Sequence, residues 1–324
     1  MKRVLSIIVT ALLIMGCISG CSPSAAAAAS SKSPDTKKLK IVATIFPEYD
    51  WVKNVLGDKS ENAELTLLLD KGTDLHSFQP TAADILKISS CDLFIYVGGE
   101  SDKWVDGALK EAVNKNMVVI NLMQALGDAV KEEELVEGMQ GEEEEKEYDE
   151  HVWLSLKNAA TYVGKISDAL QKLDAANADK YKANAASYTD KLNSLDKDYA
   201  KAVEDGKQKT LLFGDRFPFR YLTEDYKLKY YAAFIGCSAE TEASFETISF
   251  LARKADELSL NSILTIEGSD KKIAETINSN TGRKNLKILT LDSLQSTTSE
   301  NVKNGASYLS AMEKNLEILK EALK

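Results

Sequence analysis

The chain has little of what marks a nucleic-acid-binding protein or a common enzyme. Its 324 residues carry 40 Lys and Arg against 50 Asp and Glu, a formal net charge of −10. Nucleic acid rewards clustered basic side chains, and no basic stripe is present, so the composition argues against such a partner. The sequence also lacks a Gly-x-Ser-x-Gly elbow, an HExxH pair, a P-loop and a Gly-x-Gly-x-x-Gly helix start. These absences argue against the hydrolases and nucleotide-binding enzymes that use them.

Histidine and cysteine are also scarce, with two and four residues. The histidines are His76 and His151. Two of the cysteines, Cys91 and Cys237, lie in the body of the chain without a local histidine or basic neighbour that would mark an activated thiolate. We expect both to be buried small residues, and the sequence leaves open whether they pair as a disulfide.

The N-terminus has the pattern of a bacterial lipoprotein signal. A short positive start, MKR, precedes an apolar run at 4–15 that is too short for a comfortable membrane span. The segment GCISGC places small residues before Cys21, which we predict is lipidated after removal of signal peptide 1–20. Cys17 is the alternative, and a cleaved signal with incidental cysteines is the simplest competing interpretation. Residues 21–38 then form a flexible tether, which places the folded part outside the cytoplasmic membrane, held at its surface.

From Leu39 onward, short apolar and β-branched runs alternate with amphipathic stretches. Strand, helix and strand at this spacing predict parallel sheets with helices on their faces. Residues 156–206 have no strand signal and predict one or two long helices. We therefore expect an α/β fold of two lobes, 39–155 and 207–324, joined by a stiff helical linker. The predicted strands are 39–45, 64–69, 92–97, 117–122, 209–214, 228–234, 262–266 and 287–291.

One stretch breaks this alternation. Residues 132–150 are strongly acidic, contain two glycines and lack periodicity, which predicts a mobile surface loop. A solvated charge run is the simpler interpretation. A weak collector of cations beside a binding site is the other.

Four residues could form one site. His76 lies just past the second strand, His151 ends the acidic segment, and Asp215 and Asp292 each directly follow a predicted strand. Parallel α/β sheets bind ligands beyond the carboxyl ends of their strands, so these side chains could meet between the lobes. Two imidazoles and two carboxylates suit a divalent transition metal, although a histidine in such a place is often a structural hydrogen-bonding residue.

Longer motifs around these residues resemble those of the zinc- and manganese-binding solute-binding lipoproteins of bacterial ABC importers. The first block, residues 72–106, contains GTDLHSFQPTAAD, and the second is YDEHVWLSLKNA at 148–159. The last block combines IEGSDKKIAETI with LTLDSL, in which Asp292 matches the family's carboxylate ligand. The resemblance runs from about Leu39 to the C-terminus, and it implies two (β/α) lobes bridged by a long helix with the metal at their interface.

The third block departs from the family. In FGDRFPFRYL, residues 213–222, Arg216 falls where relatives have a His or Glu ligand. A guanidinium offers only hydrogen-bond donors and cannot bind a metal. We expect Asp215 to be the ligand instead, with Arg216 holding a carboxylate beside the site. In the alternative, Arg216 pairs with Asp215, and water completes a site of three protein ligands. Glu267 is a further candidate carboxylate ligand, but we expect it instead to support a metal ligand or to begin a helix. A minor departure is Leu156, where the family usually has Pro.

The resemblance implies a monomeric protein that captures a divalent metal and delivers it to a cognate permease without making or breaking a bond. Its metal ligands would be His76, His151, Asp215 and Asp292. Intrinsic affinity favours Zn²⁺ over Mn²⁺ at such nitrogen and oxygen sites, and we expect zinc, with manganese as the alternative. Two other functions remain open: a secreted metallohydrolase with an open coordination position, and a surface adhesin in which the metal only stabilises the fold.

Overall fold

Two four-stranded parallel sheets form the frame of the computed structural model, which describes residues 38–141, 147–238 and 242–324. The predicted signal peptide, Cys17, Cys21 and most of the tether lie outside the described residues, as do residues 142–146 of the acidic segment. The described strands are β1 (Leu39–Ala43), β2 (Ala63–Leu67), β3 (Leu93–Tyr96), β4 (Val118–Asn121), β5 (Thr210–Phe217), β6 (Lys229–Ile235), β7 (Ser262–Ile266) and β8 (Lys287–Leu291).

The two sheets have the same plan. The first has the order β2-β1-β3-β4 and the second β6-β5-β7-β8, with every pairing parallel. In β7 all five residues, Ser262–Ile266, are buried, as expected for a strand covered on both faces. The prediction of two parallel sheets from the alternating apolar runs is confirmed, because each predicted strand overlaps an observed one. The carboxyl ends of the strands in each sheet share one edge, which is where a ligand site is expected.

Helices cover both sheets. Most begin at a side chain that accepts a free backbone N–H group of the first turn, such as Thr81 before the helix that starts at Ala82 and Ser244 before the helix that starts at Phe245. The α-helices of the described residues are α1 (Phe46–Leu56), α2 (Ala82–Ser90), α3 (Trp104–Lys110), α4 (Leu122–Leu126), α5 (Leu156–Leu173), α6 (Ala178–Asp205), α7 (Arg220–Tyr226), α8 (Phe245–Glu257), α9 (Lys272–Asn280), α10 (Ser299–Lys303) and α11 (Tyr308–Ala322).

Two long helices, α5 and α6, join the two sheets in sequence. Their buried residues recur every three or four positions, which gives each helix one apolar face. The predicted helical linker at 156–206 therefore consists of two helices that pack on each other, and α6 also packs against α1 and α11. The precise lobe boundaries stay a prediction.

Helix α11 ties the second half of the chain to the first. At its start the Tyr308 backbone N–H donates to Asp50 Oδ2 of α1 at 3.1 Å, and the Tyr308 hydroxyl donates to the Trp153 carbonyl at 2.7 Å. Tyr308 is fully buried, and its ring meets that of Trp51 edge-on with centroids 5.2 Å apart. Within the described part of the chain, none of the helices is long and apolar enough to span a membrane.

Candidate metal centre

His76 lies in a short 3-10 turn, Leu75–Ser77, in the connection that follows β2. Asp74 precedes the turn, and its Oδ1 accepts the His76 backbone N–H at 3.0 Å. The imidazole Nδ1 is 2.8 Å from Ser101 Oγ and 3.4 Å from Glu150 Oε2. These contacts fix the ring so that Nε2 is directed away from its own loop.

His151 is fully buried and opens the 3-10 turn Val152–Leu154. One oxygen of Asp149 accepts its backbone N–H at 2.8 Å and lies 3.1 Å from its Nδ1. Gly236 lies close to the ring, since a Cβ there would come within 2.8 Å of His151 Cε1. The imidazole is therefore held by Asp149 at its Nδ1, with Gly236 close to its Cε1.

The two imidazoles converge. The Nε2 atoms of His76 and His151 are 3.2 Å apart, although the residues are 75 positions apart in sequence. Two nitrogens bound at 2.0–2.1 Å to one tetrahedral zinc ion would lie about 3.3 Å apart, so the observed spacing fits a shared ion. Each Nδ1 contacts a carboxylate, which is the arrangement that orients histidine ligands and makes them better donors.

Glu150 links His76 to the end of β3. Its Oε1 accepts the Ser101 backbone N–H at 2.9 Å, and its Oε2 is buried with the His76 ring as neighbour. Gly99, at φ +81°, allows this approach, because a Cβ there would lie 2.3 Å from Glu150 Oε1. Burial raises the pKa of Glu150, but the contacts with His76 and Ser101 outweigh it and leave the pKa below its usual value.

The charge around the imidazoles favours a cation. Burial lowers the pKa of His151, but nearby Asp149, Glu133 and Glu150 outweigh it, so the pKa lies above its ordinary value. The same three carboxylates, added to burial, raise the pKa of the Cys237 thiol well above its usual range. A negative potential of this kind attracts a divalent ion as it attracts a proton.

Among the described residues, the group of His, Cys, Asp and Glu that is compact enough to hold a metal consists of His76, His151 and Cys237. One ligand atom from each lies within 4.8 Å of the others. The first two come from the N-terminal half of the chain, and Cys237 follows β6 of the second sheet. The group therefore bridges the two sheets.

The predicted ligand Asp215 lies outside this group. It occupies an irregular stretch of β5, where the pairing with β6 shifts register between Phe213 and Arg216. Its Oδ1 accepts the Arg216 backbone N–H at 2.9 Å, and its Oδ2 accepts the Ile266 N–H at 3.3 Å. The carboxylate thus connects the ends of β5 and β7.

Asp292 and Glu267 lie together beyond β8 and β7, and neither belongs to the compact group. Asp292 Oδ1 accepts the Leu294 N–H at 2.8 Å. Burial raises the pKa of both carboxyls, and Asp292 raises that of Glu267 further. Glu267 accepts hydrogen bonds from the segment after Asp292, with donors Ser293 N, Ser293 Oγ, Gln295 N and Ser296 Oγ.

Two contacts bring the loops of the two sheets together beside the imidazoles. The Trp153 indole N–H donates to the Ser293 carbonyl at 2.8 Å, next to Asp292. Arg216 Nη2 lies 2.7 Å from Asp74 Oδ2, in the loop that carries His76. The carboxylate that the Arg216 guanidinium contacts is therefore that of Asp74.

Comparison with known proteins identifies the family. The zinc-uptake complex component A periplasmic family, ZnuA, matches residues 41–322, which is most of the chain. The chain belongs to this family. The sequence resemblance is thereby confirmed, and with it the fold that the resemblance implies.

Individual members of the ZnuA family match this chain over most of its length. The zinc-binding lipoprotein AdcA of Streptococcus pneumoniae is 34% identical over 91% of this chain and 58% of its own length. The high-affinity zinc uptake system protein ZnuA of Bacillus subtilis is 30% identical over 90% of both chains. The Zn(II)-bound ZnuA-like domain of S. pneumoniae AdcA superposes with a TM-score of 0.70 at 33% identity, covering 88% of this chain and 99% of that one. This chain spans little more than half the length of the AdcA relatives, 56–58%.

Four residues beside the imidazoles are not predicted from the sequence as part of a site: Asp149, Glu150, Ser101 and Cys237. The two acidic residues stand directly before His151 in DEH, but they were grouped with the charge run that precedes them. The sequence predicts that Cys91 and Cys237 are buried small residues. Among the described residues both are free thiols, Cys91 buried and Cys237 half-buried. Glu150 approaches His76, and Cys237 approaches His151, because the fold brings together segments that are far apart in sequence. A sequence pattern does not show such contacts.

Proposed function

We propose that the chain captures a divalent transition metal, zinc, outside the cytoplasmic membrane and passes it to the permease of an ABC importer. One observation carries this proposal: two imidazole Nε2 atoms, one on a fully buried ring, meet at 3.2 Å with a carboxylate beside each Nδ1. Membership of the zinc-uptake family and the names of the relatives support it. Manganese is the alternative cargo.

The proposed nitrogen ligands are His76 and His151, each in its neutral form. Asp292 is proposed as a carboxylate ligand because one of its oxygens is left to a metal when Oδ1 accepts the Leu294 N–H. Asp215 remains a predicted ligand, although both its oxygens accept backbone hydrogen bonds. Binding and release of the ion then need no chemical conversion, and we propose that the protein is not an enzyme.

The predicted lipid anchor completes this proposal. Lipidation at Cys21, with Cys17 as the alternative, would hold the protein at the membrane near its permease through the tether. One relative is named a zinc-binding lipoprotein. Metabolic labelling of the full chain with a fatty acid, compared between Cys21→Ser and Cys17→Ser, identifies the modified residue. Loss of label in Cys17→Ser alone would contradict the assignment to Cys21.

Metal analysis tests the central claim. Full-length protein purified without added metal is expected to bind one zinc ion, measured by elemental analysis and by competition with a chelator. His76→Ala and His151→Ala are expected to lose this tight binding, whereas Asp128→Asn, an exposed acidic residue on the same lobe, should keep it. Unchanged zinc affinity in either histidine variant would refute the proposed site. Slower growth of a deletion strain in zinc-depleted medium, restored by the wild-type gene only, tests uptake.

A further inference from the structure

We infer that Cys237 is a metal ligand of this chain and that its sulfur makes the site select zinc over manganese. The inference rests on the proposed function, because it concerns the same ion. It identifies a donor that neither the family motifs nor the sequence pattern indicated, in a place where the chain has lost the family's usual third ligand.

Position supports the assignment. Cys237 Sγ belongs to the one compact group that the described residues form with His76 and His151. The His151 Nε2 is fully buried, and its hydrogen-bonding neighbour is the Nε2 of His76, so both nitrogens point into the same space. A buried nitrogen pair of this kind needs an ion or a proton between its members, since two bare lone pairs repel each other.

The backbone holds Cys237 against the imidazoles. Gly236 lies on the His151 ring and could carry no side chain there, since a Cβ would also come within 2.9 Å of the Phe217 carbonyl. The Cys237 N–H donates to Glu133 Oε1 at 3.1 Å. The close approach at Gly236 and the hydrogen bond at Cys237 fix the residue on both sides of the peptide bond that joins them.

The neighbouring strand explains why a cysteine serves here. Arg216 in β5 pairs with Phe234 in β6. Cys237 follows three residues after Phe234, just beyond the end of β6, and so lies at the same end of the sheet. Arg216 is turned to Asp74, which it contacts at 2.7 Å, and to the Ser238 carbonyl at 3.4 Å. Its guanidinium thus occupies the family's ligand position without donating electrons, and Cys237 supplies a donor from the adjacent strand.

The chemistry of the thiol follows from its contacts. When the ion binds, a metal–sulfur bond forms and the S–H bond breaks. The proton passes to the neighbouring Glu133 carboxylate, whose Oε1 already accepts the Cys237 backbone N–H, and from there to solvent. Thiolate is a soft donor that suits zinc and suits manganese poorly, whereas the predicted set of two imidazoles and two carboxylates discriminates less. A sulfur ligand therefore resolves the choice of metal that the sequence left open.

Cobalt(II) reports the sulfur directly. Cobalt-loaded full-length protein is expected to show sulfur-to-cobalt charge-transfer absorption in the near ultraviolet. Cys237→Ser should abolish it, while Cys91→Ser, at a buried thiol in the N-terminal half, should keep it. Cys237→Ala serves as a second variant, and circular dichroism verifies that each variant is folded.

Competition measures selectivity. In Cys237→Ser the zinc affinity is expected to fall by more than the roughly 10- to 100-fold that loss of an outer partner costs, while manganese affinity changes little. Asp215→Asn is the matched test of the other predicted third ligand and should weaken zinc binding less than Cys237→Ser does.

The outcomes separate the two claims. Two results would overturn the sulfur ligand and leave the proposed function in place. In one, the wild-type protein binds zinc tightly but shows no charge-transfer band when loaded with cobalt; in the other, the cobalt band survives in Cys237→Ser. A larger loss in Asp215→Asn than in Cys237→Ser would return the third position to Asp215. Wild-type protein that binds neither zinc nor cobalt would refute the proposed function itself.

Discussion

Two adjacent carboxylates, Asp149 and Glu150, orient the two histidines of the candidate site. Asp149 lies 3.1 Å from His151 Nδ1 and Glu150 lies 3.4 Å from His76 Nδ1. A carboxylate there fixes which ring nitrogen carries the proton and leaves Nε2 as the electron-pair donor. One short stretch of chain thus sets the tautomer of both rings.

Asp149→Asn tests this role at the level of one residue. The amide keeps the size of the side chain but removes its charge, so zinc affinity is expected to fall roughly 10- to 100-fold. Chelator competition measures the loss, with Asp128→Asn as control because Asp128 is acidic and exposed on the same lobe. Equal affinities in the two variants would show that Asp149 does not support His151.

Protonation of the two histidines should make zinc binding depend on pH. Protons compete with zinc for both imidazoles, so affinity is expected to fall as pH drops below about 6.5. The carboxylates near His151 outweigh the effect of burial and raise its pKa, so the decline should begin above that value. Affinity measured from about pH 7.5 to about pH 5 gives the profile. A flat profile would contradict a site with two histidine ligands.

The strands and helices could be predicted well from the sequence. Each β-branched run between amphipathic stretches forms a strand. A short apolar run flanked by helices is typical of a parallel strand that helices cover on both faces. His76 and Asp292 could be placed at strand ends by the same argument. Cys237 could not, because its approach to His151 depends on the register of β6 against β5, and register is a property of two strands together.

The acidic segment shows a similar limit. Its composition predicts a mobile loop, yet its described ends are paired. Glu132 and Tyr148 form an antiparallel bridge, and the Gln140 N–H donates to the Ala233 carbonyl of β6 at 2.9 Å. Charge patterning indicates solvent contact, but it does not show the backbone hydrogen bonds that a polar segment can make with a strand.

At the scale of elements, Glu267 organises the segment that follows β8. Its carboxylate accepts hydrogen bonds from Ser293, Gln295 and Ser296. In Glu267→Gln the amide NH₂ is a hydrogen-bond donor and would face the donors that the carboxylate now accepts from. We therefore expect the free energy of unfolding to fall by about 1–3 kcal/mol. Hydrogen exchange should speed up at residues 292–296. Glu275→Gln, at an exposed position of α9, is the control and should change neither quantity.

At the scale of the whole molecule, a buried carboxyl makes stability depend on pH. Glu48 of α1 is fully buried, and its Oε2 accepts hydrogen bonds from Thr44 and Ile45. Its Oε1 has no hydrogen-bond partner among the residues that the structure describes. Burial, with Asp102 nearby, raises its pKa from 4.5 to about 8. The unfolded chain therefore releases this proton near pH 4.5, whereas the folded chain keeps it until about pH 8. Stability should fall as pH rises through this window.

Glu48→Gln isolates that contribution. The amide cannot ionise, so the variant should lose much of the decline in unfolding free energy between about pH 5 and about pH 8. Denaturant titrations of both proteins at the two pH values measure it. Asp102→Asn is the companion variant, since burial also raises the pKa of Asp102 to about 7. If the unfolding free energies of wild type and Glu48→Gln changed in parallel with pH, Glu48 would ionise as readily in the folded chain as in the unfolded chain.

Complete burial of His151 has a kinetic consequence for the whole molecule. We expect an ion to reach this nitrogen from solvent only when the Asp74–Arg216 and Trp153–Ser293 contacts between the two halves separate. Zinc uptake should therefore be gated: the observed rate in stopped-flow mixing should level off at high zinc concentration, at the rate of opening. A rate that rises linearly throughout would mean that the site is open to solvent. A gated carrier keeps its ion for a long time by itself, and its unloading rate becomes a property of the partner that opens it.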